Sequence, residues 1–440
     1  MKPNNQEAVF CPALFITAPA SGQGKTTITA ALARMLKRQG KIVRVFKTGP
    51  DFLDPQILAQ ASGEHVEQLD LWMAGENYCR YQFYQAAQEA DLIIVEGAMG
   101  MFDGEPSSAD LAATFNIPMA IVMDVKGMAQ TAAAIAMGLA NYRDDIQVAG
   151  LIANSCSTER HRQLIEDALP DSLPLLATLA RSESVALPER HLGLVQASEV
   201  RAELEQRFNA GADWLVDAGL ENILERFSNV EFKPAILPIE QPLLQDKIIA
   251  IAKDEAFSFI YQANLLLLKE LGATLKFFSP LHDKEMPAAD ALWLPGGYPE
   301  LHAKKLAENT SMLNSIRLFS EQNNPILAEC GGFLYCLEEL TDLNDETHVM
   351  LNILAGQGAM KGKRGCQGMQ TAIFPEGEIR AHAHHRSRSF NMPEALSYGR
   401  RQRHPAPGEA VYRHNNLNAS YLHLFFPSNP KAISRLFNPE

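Results

Sequence analysis

The chain has 440 residues, too many for one ordinary core, so two or three domains are expected. Hydrophobic residues make up 46% and charged residues 21%, a globular balance, and a net charge of −13 argues against a general nucleic-acid binder. No apolar run reaches the roughly 18 residues of a membrane span, and no basic segment leads into an apolar one at the N-terminus, so no signal peptide is expected.

In chain order, short apolar runs alternate with helical patterns. Strands are predicted at "ALFIT" (13–17), "IVRVF" (42–46), "DLIIV" (91–95), "MAIVM" (119–123) and "VAGLIA" (148–153). They are unbroken apolar runs, as expected where both faces of a parallel sheet are covered. The helical pattern "TTITAALARMLKRQ" lies between two of them and is closed by Gly40. The rhythm is that of βαβ units. From about 229 to 246 the text becomes "NVEFKPAILPIEQPLLQD", with Pro234, Pro238 and Pro242, and reads as a linker between domains. A second α/β series follows with "KIIAIA", "ATLKFF", "ALWLP" and "PILAE". The expected division is residues 1–235, a linker at 236–246, and residues 247–440.

"SGQGKTT" follows the first predicted strand and opens a helix. Backbone N–H groups of such a turn cradle phosphates, Lys25 supplies charge, and the Thr26 hydroxyl can reach Mg²⁺. Ser21, Gly22, Gly24 and Thr27 complete the loop, but Pro19 stands where GxxxxGK[ST] has its first glycine. Asp51 in "FKTGPD" and Glu96 in "LIIVEG" follow strand ends, where ligands of parallel sheets gather. Mg²⁺ takes one or two carboxylates plus phosphate oxygens. Each acid could instead cap the next element.

The six cysteines, Cys11, Cys79, Cys156, Cys330, Cys336 and Cys366, form no CxxC pair. That suggests neither a zinc ribbon nor a disulfide framework, and suits a reducing cytoplasm. Free cysteines are usually inert core residues. Cys330 differs, because "PILAECGG" places it between a strand and a helix with two glycines behind it. Glycines permit a sharp turn, and a helix N-terminus is expected to lower the thiol pKa. The Gly331 N–H could stabilise an oxyanion, with further donors at Gly296 and Gly297 in "LPGGYPE". A thiol nucleophile needs a base, and His423 in the apolar run "ASYLHLFFP" is the candidate.

These motifs, taken together, resemble one family, cobyrinic acid a,c-diamide synthase. Its members look like "APxSGxGKTT", "KxGPDxxDP", "EGxMGxFDG", "LPERHLGL", "GGYPELH", "AECGG" and "ASYLHLxFPSNP". This chain has "APASGQGKTT", "KTGPDFLDP", "EGAMGMFDG", "LPERHLGLVQA", "GGYPELH", "AECGGFLY" and "ASYLHLFFPSNP", in order over about residues 13–430. The resemblance implies an α/β chain. Its N-terminal P-loop parallel-sheet amidoligase domain would resemble dethiobiotin synthetase, and its C-terminal α/β domain would be a class I glutamine amidotransferase-like glutaminase. ATP would convert the c and then the a carboxylate of a corrin ring to acyl phosphates, which ammonia from glutamine would displace. Lys25 and Thr26 would hold the triphosphate and Mg²⁺, with Asp51 and Glu96 as metal ligands. Asp103 would act near the carboxylate being phosphorylated, and Asn154 is placed like the adenine-reading asparagine of related ligases. Cys330 would form the thioester and His423 would be its base. The implied partners are a corrinoid polycarboxylate, ATP and glutamine, with no nucleic acid and no membrane; a homodimer is one option.

The chain departs from the family at Phe52, where tyrosine is common, at "RAHAHHRS" (380–387) in place of "RGHEFHHS", and at Phe425, where a second histidine is common. His382 and His384 could share a strand face, with substrate contact or plain exposure favoured over metal. The basic clusters Lys361, Lys363, Arg364 and Arg400, Arg401, Arg403 read as solvated surface or as steering for a polycarboxylate. Rival readings are a cobyric acid synthase, a nickel-sirohydrochlorin a,c-diamide synthase, and a partition-type switch ATPase. Against the last stands Ala20, where such ATPases carry a signature lysine.

Overall fold

The structure is a computed structural model, and it describes residues 7–190, 193–194, 200–238, 241–360 and 367–439. His191 of "LPERHLGL", the cluster Lys361, Lys363 and Arg364, and Cys366 lie outside the described residues. The chain divides into two compact units, Met1–Leu237 and Pro238–Glu440. Among the described residues no helix is long and apolar enough to cross a membrane.

The first unit is built on seven parallel strands: β1 (Val9–Thr17), β2 (Val43–Thr48), β3 (Glu67–Leu69), β4 (Leu92–Glu96), β5 (Met119–Asp124), β6 (Val148–Asn154) and β7 (Leu175–Leu179). Their order is β3-β2-β4-β1-β5-β6-β7. The five central runs anticipated from sequence are there. The two edge strands, β3 and β7, are short and less apolar, which hid them. The expected linker also begins later than its prolines suggest: Asn229–Phe232 pairs antiparallel with the start of β1. The order places β1 between β4 and β5, so the loop leaving β1 emerges beside the ends of β4 and β5.

That loop feeds α1 (Lys25–Arg38), which starts after Gly24 in the left-handed conformation at φ 95°. Ile28, Ala31, Leu32, Met35 and Leu36 recur at helical spacing and are buried. Burying each large side chain is worth about 1.5–3 kcal/mol. The helix Arg201–Asp217 covers part of α1. A Cβ on Gly211 would sit 2.9 Å from the Ala31 Cβ, so glycine permits this close approach. Arg34 pairs with Glu205 at 2.6 Å across the same contact.

The second unit holds a ten-stranded sheet. Thr274–Phe278, Ile248–Ala252, Ala291–Leu294, Ile326–Glu329 and Leu417–Ser420 run parallel. The first four correspond to the anticipated apolar runs. The sheet continues antiparallel through Pro407–His414, Ser397–Arg401, Gly368–Phe374, Gly377–Ala383 and Leu422–Leu424. After Leu417–Ser420 the chain turns and re-enters the sheet against Gly377–Ala383. The Leu424 N–H then donates to Glu329 Oε1 at 3.0 Å. This return brings the strand carrying His423 back to the strand that ends at Cys330.

Candidate active site

In the first unit the β1–α1 turn presents Ser21 and Gly22 at the surface, with Lys25, Thr26 and Thr27 on the first turn of α1. Lys25 is buried, and its Nζ donates to Met99 O at 2.7 Å and to Ala20 O at 3.3 Å. Burial foremost, then the neighbouring Lys47 ammonium, holds the Lys25 amine below its usual range. Asn154, at the end of β6, donates from Nδ2 to Gln23 O at 3.0 Å. A Cβ on Gly24 would meet that same Nδ2 at 2.6 Å, so the loop and Asn154 fit each other only with glycine there. Asp103 is exposed and accepts from the Gly100 N–H at 3.0 Å, close enough for its charge to bear on Lys25.

Thr26, Glu96 and two residues not singled out from sequence form the heart of this site. The Thr26 hydroxyl donates to Glu96 Oε1 at 2.7 Å and lies 3.4 Å from Asp54 Oδ2. Lys47, at the end of β2, bridges Glu96 Oε1 and Asp54 Oδ2 at 2.6 Å each. Burial pushes the Glu96 carboxyl up, against the pull of Lys47. Burial also opposes ionisation of Asp54, but Lys47 outweighs it and holds that carboxyl below its usual range. Asp51 accepts from the N–H groups of Leu53 and Asp54 at 2.9 and 3.0 Å, so it holds the turn that leads into the next helix. Burial and the Asp54 charge push Asp51 up to about 7. Glu96 Oε2 is buried with no hydrogen-bond partner among the described residues. The Thr26 hydroxyl and the carboxylates of Asp54 and Glu96, the latter with its orphaned Oε2, form a hard-oxygen donor set that suits Mg²⁺.

In the second unit Cys330 caps the helix Gly331–Cys336 at φ 46°, ψ −102°, a conformation that non-glycine residues rarely take. The two glycines behind it are forced by contact: a Cβ on Gly332 would lie 2.0 Å from Leu294 O, and one on Gly331 would lie 2.9 Å from Gly297 N. Gly296 lies between the catalytic candidates. A Cβ there would fall 2.2 Å from His423 Cε1 and 3.3 Å from Cys330 Cβ. Cys330 and His423 therefore both lie against Gly296, beside the Gly297 and Gly331 backbones. The Gly331 N–H also reaches the Cys330 sulfur.

The electrostatics correct one expectation. The helix start does not leave Cys330 with a lowered pKa. Burial, with Glu300 next, pushes the thiol well up, and the Gly331 N–H only partly offsets this. Burial, then His382, His384 and His385, holds His423 well below its ordinary value. His382 faces His423 directly across the sheet, and burial lowers it to about 3. Burial thus favours the neutral form of both the thiol and the imidazole. Glu329 accepts from the Leu424 N–H and from the Trp293 indole at 3.2 Å, and burial pushes it up to about 8. The His382 and His384 rings lie nearly parallel, 6.1 Å apart. His385 instead stacks on Tyr421 at 3.7 Å and bonds Glu409 at 2.9 Å. Arg400 pairs with Glu378 at 2.6 Å on the surface.

Lys47 and Asp54 were the residues that sequence reasoning passed over. A lysine in the strand run "VRVFKT" and a second aspartate in "GPDFLDP" were the available signals.

Comparisons with known proteins match both units of the chain. Residues 14–195 match the model of the CobQ/CobB/MinD/ParA nucleotide binding domain. Residues 248–431 match that of the CobB/CobQ-like glutamine amidotransferase domain. The chain is 48% identical to hydrogenobyrinate a,c-diamide synthase of Stutzerimonas stutzeri, over 98% of this chain and 99% of that one. It is 48% identical to the Pseudomonas aeruginosa protein of the same name, over 98% of each. A cobyrinate a,c-diamide synthase of Herminiimonas arsenicoxydans is 44% identical over 97% of each chain. With relatives this similar along nearly their whole length, the chain belongs to the cobyrinate/hydrogenobyrinate a,c-diamide synthase family.

Proposed function

We propose that this protein uses ATP and glutamine to amidate the a and c carboxylates of cobyrinic or hydrogenobyrinic acid through acyl phosphates, in cobalamin biosynthesis. The observation that carries the reading is the near-full-length match to relatives of that name, in a chain that keeps Lys25–Thr26 in one unit and Cys330 with His423 in the other.

In the first unit, residues 1–235 in this reading, the loop amides from Ser21 to Thr27 and Lys25 hold the triphosphate, while Asn154 meets the base. Thr26, Asp54 and Glu96 would hold Mg²⁺, with Asp51 setting the turn that aims Asp54. Bound there, Mg²⁺ would neutralise phosphate charge. A carboxylate is a poor electrophile, so its oxygen attacks the γ-phosphorus, ADP leaves, and an acyl phosphate forms near Asp103. Ammonia then adds to the acyl carbon and phosphate departs.

The second unit, beyond the linker, supplies the ammonia. His423 takes the Cys330 proton, and the thiolate attacks the glutamine side-chain amide. Gly297 and Gly331 N–H groups face the oxyanion. Collapse returns the proton to the departing ammonia, and water hydrolyses the thioester to glutamate. Because burial favours the neutral form of both groups, the proton moves within a buried pair rather than from a standing thiolate.

The test supplies ATP, Mg²⁺ and cobyrinic or hydrogenobyrinic acid with either glutamine or an ammonium salt. Cys330→Ala is expected to lose the glutamine-supported reaction and keep the ammonium-supported one, whereas Lys25→Ala loses both. Loss of both in folded Cys330→Ala, or full activity in Lys25→Ala, overturns the reading.

A further inference from the structure

Three carboxyls bear on the Cys330 thiol: Glu300, Glu329 and Glu409. Two have their partners. Glu329 accepts from the Trp293 indole and the Leu424 N–H. Glu409 pairs with His385 at 2.9 Å. Glu300 is different. It is 6% exposed, and among the described residues no lysine, arginine or histidine pairs with it. Burial raises its carboxyl, and its own backbone N–H only partly offsets this. A carboxylate is not kept buried beside a nucleophile, without a cation, at no cost.

Its position in the chain is equally specific. Glu300 lies in the short turn Pro299–Leu301 that leaves the Gly296–Gly297 loop. That loop wraps the catalytic pair. Gly296 separates His423 from Cys330, and a Cβ on Gly331 would meet the Pro299 ring at 2.8 Å. Tyr298 packs edge-on against Phe259, and Phe259 against His423. Glu300 therefore follows directly on the loop that packs against Gly331 and separates Cys330 from His423.

A glutamine whose side-chain amide reaches Cys330 must put its α-ammonium a few ångströms away. Resting on the glutaminase reading above, we propose that Glu300 is the residue that receives the α-ammonium of the substrate glutamine, and so selects an amino-acid amide over a simple amide. The pairing has a second consequence. The Glu300 charge opposes a thiolate at Cys330, and an ammonium paired with Glu300 would offset that effect. Substrate binding then favours formation of the nucleophile.

The test compares glutamine with glutaramate, which has the same side-chain amide and no α-amino group. The readout is ammonia release by the full chain in the presence of ATP, Mg²⁺ and the corrinoid acid. The native chain is expected to favour glutamine in kcat/KM by at least about 10²-fold, the scale of one buried charge partner. Glu300→Gln should reduce that ratio to within about tenfold of unity by losing activity on glutamine. Glu300→Asp should retain a clear preference. Because the quantity is a ratio within one preparation, partial unfolding lowers both activities and leaves it unchanged. A native ratio preserved in Glu300→Gln, or a native chain that treats the two amides alike, overturns the assignment while leaving the amidation reading intact. A native chain that releases no ammonia from glutamine overturns both.

Discussion

Lys47 Nζ and Glu96 Oε1 lie 2.6 Å apart, with side chains 4% and 0% exposed. The pair sits at the carboxyl ends of neighbouring strands β2 and β4, paired in register at these two residues. So deep an ion pair is costly to assemble and more costly to break, because the surviving charge has no water to turn to. Lys47→Met is therefore expected to destabilise the first unit by about 3–5 kcal/mol. Glu96→Gln should do less, since Asp54 still holds the lysine at 2.6 Å. The double variant should recover part of the loss. Urea unfolding of the three variants checks this, and a Lys47→Met midpoint equal to the native one rules out the energetic role given to the pair. All three should lose amidation with either nitrogen source.

Gly296 carries a different constraint. A methyl group there would stand 2.2 Å from His423 Cε1, so either the imidazole or the loop must move. Misplacing a base by about 1 Å costs on the order of 10²-fold in rate. Gly296→Ala is expected to lower glutamine-supported synthesis by at least that factor while ammonium still supports it. The rates with each nitrogen source, measured on one preparation, decide the matter. An equal fall in both would mean that the substitution acts on the fold rather than on the pair.

What could be read in advance follows from range along the chain. The central strands of both units are unbroken apolar runs, and Lys25, Thr26 and Cys330 stand in local turns whose glycines announce them. Asp51 is also visible there, and its carboxylate holds the turn into the next helix. Lys47 and Asp54 gain meaning only from Glu96, some 40 to 50 residues on, through a sheet order that no local pattern specifies. The antiparallel half of the second sheet was hidden because its strands mix polar and apolar residues, as in Gly377–Ala383 with its burial alternating along "GEIRAHA". The thiol was misjudged for a related reason. A helix N-terminus is a local feature that lowers a pKa, whereas burial and three surrounding carboxyls belong to the assembled fold.

Glu329, the neighbour of Cys330, makes the stability of the second unit depend on pH. Two donors favour its ionised form, but complete burial outweighs them and raises it from 4.5 to about 8. A carboxyl raised on folding binds its proton more tightly in the native state. Its contribution is present in full below about pH 4.5, declines as the pH rises, and is gone above about 8. Glu300, raised to about 7, acts in the same direction over a narrower window. The native unit should thus lose on the order of a few kcal/mol between pH 5 and 8 from Glu329 alone. Glu329→Gln removes a titrating group and leaves one acceptor for two donors. It should carry a roughly constant penalty of about 1–3 kcal/mol, with a flatter pH profile. The slope, not the intercept, is the informative quantity. Denaturant unfolding of both proteins at pH 5, 6.5 and 8 measures it, and parallel profiles would show that Glu329 is ionised in the folded protein across this range.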